Sequence, residues 1–102
     1  MSKNNVTEKQ RVHIWVKGRV QGVGFRAFVQ QQGYLLGLTG WVRNVGYDGV
    51  EVVAEGRRDV LERFVQIIRQ GPRASRVDEA RVEWEAASNE FSSFEVHHSV
   101  WS

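Results

Sequence analysis

Between residues 11 and 36 the apolar spacing changes from every second position to a helical period, across a glycine-rich stretch, VKGRVQGVGFR, residues 16–26. Before it, Val12, Ile14 and Val16 alternate with His13, Trp15 and Lys17, as in a strand with one covered face, residues 11–17. After it, Phe25, Phe28, Val29 and Leu36 fall within one helical stripe. Gln32 interrupts that stripe, Gly33 weakens the helix by roughly 1 kcal/mol relative to alanine, and Gly37 is a natural stop. A strand feeding a helix through a short loop restricts the chain to architectures in which helices lie on a sheet.

The rest of the chain keeps to that plan. Residues 38–44, LTGWVRN, read as a strand, VGYDG as a turn with Asp48-Gly49 as its signal, and residues 50–55, VEVVAE, as the hairpin partner. From Arg57 to Gln70, Val60, Leu61, Phe64, Ile67 and Ile68 form an amphipathic helix that presents Asp59, Glu62, Arg63, Gln66 and Arg69 outward, and Gly71-Pro72 ends it. Near 77–85, Ala80, Val82 and Trp84 alternate with Arg81, Glu83 and Glu85, while near 93–100 Phe94, Val96, His98 and Val100 share a face. The order is βαββαβ with a short final strand. It predicts an α+β, ferredoxin-like sandwich in which two helices cover one face of a mainly antiparallel sheet. That architecture alone assigns no activity.

One such sandwich uses the whole chain, since 102 residues support a single core. Residues 11–102 are expected to form one domain behind a flexible, polar tail, MSKNNVTEKQ, residues 1–10, which lacks the apolar segment of a signal peptide. A formal net charge of +2, with the basic groups spread along the chain, is too small a footprint for nucleic acid. The absence of cysteine excludes disulfides, thiolate catalysis and thiolate metal sites, and it suits a reducing cytoplasm. No apolar run approaches the roughly 20 residues needed to span a bilayer. A cytoplasmic monomer with neither nucleic-acid nor membrane partners is the expectation.

The loop carries the chemistry. A glycine-rich turn entering a helix can aim several backbone N–H groups at one point, and the helix N-terminus adds unpaired donors with partial positive charge, a cup suited to phosphate. Gly18, Gly22 and Gly24 can adopt positive φ, and Arg26, on the first helical turn and about 100° round from Phe25, can offer a bidentate fork. The spacing G-x3-G-x-G matches neither the dinucleotide fingerprint nor the P-loop. Taken alone, the loop is equally well read as a tight connection with Arg26 as a solvated surface charge.

Two motifs in order decide between these readings. The stretch GRVQGVGFR, residues 18–26, resembles the phosphate-binding loop of acylphosphatases, and GWVRN, residues 40–44, followed by a hairpin into VEVVAEG, resembles their second signature. The resemblance extends from about residue 11 to 98. It implies a hydrolase without metal or cofactor, built on this same sandwich, that cleaves a small-molecule acyl phosphate into a carboxylate and inorganic phosphate. It further implies that Arg26 binds the phosphoryl group, that Asn44 holds the attacking water, and that the backbone of Gln21, Gly22, Val23, Gly24, Phe25 and Arg26 forms the oxyanion cradle. Inorganic phosphate or sulfate would then compete with substrate. The family's turn glycine is replaced by Asp48, with Gly49 one position later. Aspartate tolerates the left-handed region, so an altered turn with Asn44 still in register is expected.

Elementary chemistry agrees. The leaving carboxylate has a conjugate acid of pKa about 4, so a general acid is dispensable, and phosphoryl transfer asks mainly for positioning and electrostatic stabilisation. The rival reading, from another class, is a non-catalytic ferredoxin-like module that binds a phosphorylated ligand or RNA. Turnover discriminates the two.

Other candidates have bland readings. His13 and His97 read as surface histidines, and His98 as a partly buried packing residue. Trp15, Trp41, Trp84 and Trp101 read as sheet packers in the absence of an RNA-binding aromatic motif, and the acidic run from Asp78 to Glu85 as a solvated strand face.

Overall fold

A computed structural model describes residues 6–100. The chain runs β1 (Lys9–Arg19), α1 (Phe25–Leu35), β2 (Thr39–Val45), β3 (Gly49–Arg57), α2 (Arg58–Gln70), β4 (Arg76–Ala86) and β5 (Phe94–Val96). The strands form one sheet in the order β4-β1-β3-β2-β5, antiparallel throughout except for the parallel pairing of β5 with β2. This is the α+β, ferredoxin-like sandwich that the periodicity predicts.

The alternating apolar residues do what their spacing requires. Val12, Ile14 and Val16 of β1, Val42 of β2, and Val50, Val52 and Ala54 of β3 are buried in one cluster with Phe25 and Val29 of α1 and with Leu61, Phe64, Val65 and Ile68 of α2. Val65 takes the buried place expected for Ile67, which is only half-buried. Gly33 has a use beyond its cost to the helix: a Cβ there would lie 2.6 Å from the Phe94 ring, so its absence lets α1 close onto β5.

The start of α2 reaches back to the N-terminal segment. Arg57 provides no side-chain cap, and the N–H groups of Arg58 and Asp59 instead donate to the carbonyls of Glu8 (3.0 Å) and Val6 (2.8 Å). Residues 6–10, expected in the tail, are thereby tied to the fold, and β1 starts at Lys9 instead of residue 11. Residues 1–5 of that tail, and Trp101, lie outside the described residues.

The last strand is shorter than expected. Its ladder stops at Val96, after which His97 donates its N–H to the Val42 carbonyl and Val100 forms a single bridge with Val45. His98 is therefore exposed and not a packing residue. His97 lies half-buried on the helix-free face, stacked on Trp41 with ring centroids 5.3 Å apart.

That face is more ordered than a solvated surface. His13 is half-buried there, stacked on Trp15 and 2.6 Å from a Glu51 carboxylate oxygen, and Arg43 donates to the other oxygen at 2.9 Å. Guanidinium groups cover the tryptophans, Arg81 over Trp15, Arg43 over Trp41 and, on the helix side, Arg58 over Trp84. The Glu55 carboxylate is fully buried. It accepts from Arg11 (2.8 Å), the Ser88 N–H (2.8 Å) and hydroxyl (3.0 Å), and the Asn89 N–H (2.9 Å). Burial pushes its pKa up, but those donors outweigh burial and hold it at about 2.

Candidate active site

The loop between β1 and α1 is shaped by its glycines. Gly22 and Gly24 have φ of +74° and +79°, and a Cβ at either would meet nothing within 4 Å. Glycine is needed there for the dihedral and not for room. Gly18 also has positive φ, and a Cβ on it would collide with the Arg76 carbonyl of β4.

Gly24 is the N-cap of α1, and the helical ladder begins only with the Phe28 N–H on the Gly24 carbonyl, at 3.0 Å. The N–H groups ahead of Phe28 have no intrahelical acceptor, and no acidic side chain occupies the first turn to neutralise their field. Arg26 stands on this turn, half-exposed, and takes part in none of the ion pairs among the described residues.

Asn44 arrives from β2. It pairs with Val50 of β3, the register expected, and its carbonyl accepts from the Val100 N–H at 2.9 Å. Its side-chain Oδ1 is buried and has no donor among the described residues. Buried acceptors are nearly always satisfied, and leaving one bare costs about 1–3 kcal/mol, so this oxygen is a candidate acceptor for a group from outside the chain.

The hairpin beyond Asn44 differs from expectation in its turn. Val45 pairs with Gly49, leaving Gly46, Tyr47 and Asp48 as the loop, and the left-handed residue is Gly46 (φ +63°), not Asp48. Gly49 opens β3 instead, with its Cα so near the Val45 carbonyl that a Cβ would lie 2.8 Å from it. Two ties join this hairpin to the glycine loop. The Gly18 N–H donates to the Asp48 carbonyl at 3.1 Å, and the Gln21 side-chain amide donates to the carbonyls of Gly46 (3.0 Å) and Gly49 (2.8 Å).

These elements enclose a cavity of about 270 Å³ lined by Val20, Gly22, Gly24, Phe25, Arg26, Ala27, Gln30, Asn44 and Val96. Of the residues singled out from the sequence, it brings together Gly22, Gly24, Phe25, Arg26 and Asn44. Gln21 and Val23 are not in its lining: Gln21 turns to the hairpin and Val23 packs against the core. Val20, Ala27, Gln30 and Val96 were missed. Gln30, one turn beyond Arg26, could have been found from helical spacing, whereas Val96 enters through parallel pairing with Val42, which leaves no local trace. Among the described residues, Arg26 is the sole ionisable side chain in the lining.

The acylphosphatase family profile matches residues 12–96. The acylphosphatase of Syntrophobacter fumaroxidans is 45% identical over 92% of this chain and 97% of its own, and that of Thermus thermophilus 52% identical over 72% and 84%. The crystal structure of acylphosphatase from Bacillus subtilis superposes with a TM-score of 0.83 at 36% identity, covering 86% of this chain and 98% of that one. With a profile match over most of its length, and a relative 45% identical over 92% of it, the chain belongs to the acylphosphatase family.

Proposed function

We propose that the cavity between the glycine loop and Asn44 hydrolyses acyl phosphates, with Arg26 and the backbone N–H groups of residues 21–26 holding the phosphoryl oxygens and Asn44 holding the attacking water. The observation that carries the reading is that Asn44, whose buried Oδ1 has no donor among the described residues, lines the same cavity as Arg26 and the uncapped start of α1. A carboxamide oxygen accepts a hydrogen bond from water and orients it without being a strong base. The water oxygen bonds to phosphorus, the bond from phosphorus to the acyl oxygen breaks, and the carboxylate departs with its electron pair. A phosphoryl oxygen takes the water's proton.

Among the described residues the lining holds no Asp, Glu or His, which suits a leaving group that needs no protonation. Arg26 and the loop donors supply the stabilisation that charge on the equatorial oxygens calls for. Among the described residues no group of three or more His, Asp or Glu side chains could hold a metal ion, and metal-free turnover is part of the proposal. So are a monomeric state, a cytoplasmic location and competition by inorganic phosphate or sulfate.

Phosphate release from benzoyl phosphate in EDTA tests the reading. Turnover should persist in chelator, and an alkyl phosphate monoester, whose alkoxide needs protonation, should react far more slowly. Loss of activity restored by Mg²⁺, or equal rates on both substrates, would overturn it.

A further inference from the structure

Resting on that reading, we infer that Arg19, Arg69 and Arg73 form a cationic rim beside the cavity, which draws the anionic acyl phosphate toward it from solution by long-range attraction. The basic residues are spread along the sequence, but folding sorts them. Arg11, Arg43, Arg57, Arg58, Arg76 and Arg81 each form an ion pair with a carboxylate. Arg19, Arg26, Arg69 and Arg73 take part in none of the ion pairs among the described residues.

The fold brings these unpaired cations to one end. Arg19 is the last residue of β1 and adjoins Val20, which lines the cavity. On another flank, the end of α2 meets the start of α1: a Cβ on Gly71 would lie 3.1 Å from the ring of Phe25, also in the lining. Arg69 and Arg73 each stand two residues from Gly71, at most about 7 Å along the chain. All three rim arginines are exposed.

The carboxylates nearby do not balance them. Lys17 stands opposite Glu79 across the β1–β4 ladder, and Arg76 is held by Asp78 at 2.8 Å, which leaves Asp48 at the hairpin tip against the rim and Arg26. The ladder also sets Arg19 opposite Arg76, a like-charge pairing that works against stability. Towards the other end of β1 the balance reverses, for Arg11 is surrounded by Glu55 (2.8 Å), Glu85 (3.9 Å) and Glu90 (2.7 Å).

A phosphoryl group carries about two negative charges at neutral pH. Each rim charge, roughly 12 Å from such an anion in water, raises its local concentration about two- to threefold when the Debye length is about 30 Å, and hardly at all when it is about 3 Å. Charges of one sign around a cleft add, so the rim together supplies about tenfold or more at low salt. This attraction requires no contact and no desolvation, only charge at the right end of the molecule.

The test measures kcat/KM for benzoyl phosphate in EDTA, at sodium chloride concentrations of about 0.01 M and about 1 M. It compares the wild type, a triple variant with Arg19→Gln, Arg69→Gln and Arg73→Gln, the matching triple Arg→Lys variant, and Lys9→Gln. Chloride competes for Arg26 alike in every variant, so differences between them isolate the rim. The triple Gln variant should lose about tenfold at low salt, through KM with kcat unchanged, and should converge on the wild type to within about twofold at high salt. The triple Lys variant should stay within about twofold of wild type at both, because the field reads charge and not the guanidinium fork. Lys9→Gln removes one exposed charge ten residues back along β1, about 33 Å away, and should change neither value. Single Arg→Gln variants, each about two- to threefold lower at low salt, carry the test if the triple variant folds poorly. A Gln variant equal to wild type at low salt, a loss of the same size at both salt concentrations, a loss in kcat, or an equal loss in Lys9→Gln would overturn the rim while leaving hydrolysis standing. Failure of the wild type to hydrolyse benzoyl phosphate would overturn the reading on which the rim rests, and the rim with it.

Discussion

The Gln21 side-chain amide donates to the Gly49 main-chain carbonyl at 2.8 Å, fastening the loop that ends in Arg26 to the hairpin that follows Asn44. Its second contact, to Gly46 at 3.0 Å, makes this neutral group a clamp between the two halves of the site. Gln21→Ala should remove about 1–3 kcal/mol of stability and lower kcat about tenfold, with a smaller effect on phosphate affinity. Gln21→Glu, which presents oxygen where the carbonyls need a donor, should be at least as damaging. Thermal unfolding beside steady-state rates checks both, and a Gln21→Glu protein equal to wild type would show that the donor role is unimportant.

Arg26→Ala should weaken inorganic phosphate binding and also lower kcat, because the guanidinium meets phosphoryl oxygens both in the bound substrate and in the transition state. Loss of a charge-assisted pair of hydrogen bonds implies about 10- to 100-fold in phosphate affinity, measurable by titration calorimetry. An unchanged affinity would place the anion elsewhere.

Asn44→Ala should separate binding from chemistry. Phosphate affinity should be nearly intact while kcat falls by about 10² or more, if holding the water contributes about 3 kcal/mol. Because Oδ1 is a buried acceptor without a donor among the described residues, removing it should not lower the melting temperature. A purely structural Asn44 would give the opposite pair of results.

Gly22→Val should damage the loop through its backbone alone, since φ is +74° and the space around a Cβ is empty. The left-handed region costs an L-residue about 1–2 kcal/mol, more for a β-branched one, whereas Gly22→Asn should retain far more activity. Equal activity in the two variants would argue against this geometry.

Acid should expose the Glu55 network. A carboxyl group held at about 2 when folded, against 4.5 when free, contributes stability in full above pH 4.5 and loses it as the pH falls through 2. The contribution is on the order of 3 kcal/mol. Glu55→Gln should be less stable than wild type at neutral pH, and its unfolding free energy should vary less with pH between those values. Urea unfolding at several pH values measures this.

How much of this was legible in the sequence depends on where each cause lies. Val12, Ile14 and Val16 announce their burial because alternation is a local property, and GRVQGVGFR announces a loop because Gly22 and Gly24 need positive φ. Glu55 gave no such signal: an acidic residue alternating in VEVVAE reads as solvated, and the donors that permit its burial lie 44, 33 and 34 residues away at Arg11, Ser88 and Asn89. The turn was misjudged for a related reason. Asp48-Gly49 is a valid turn pair, but the close approach at the Val45 carbonyl assigns Gly49 to β3 and leaves the left-handed place to Gly46.

The strand order has a consequence in time. The β2–β3 hairpin closes locally, whereas β1 must find β3 beyond α1 and β4 beyond α2, with Gln10 ending opposite both Gly56 and Ala86. Pairings so distant along the chain make folding slow. Until β1 is seated, the glycine loop that follows it has no fixed place beside the hairpin, and the clamp at Gly49 cannot form. A refolding chain should therefore acquire helical signal first and hydrolytic power last, with the regain of activity tracking the insertion of its first strand.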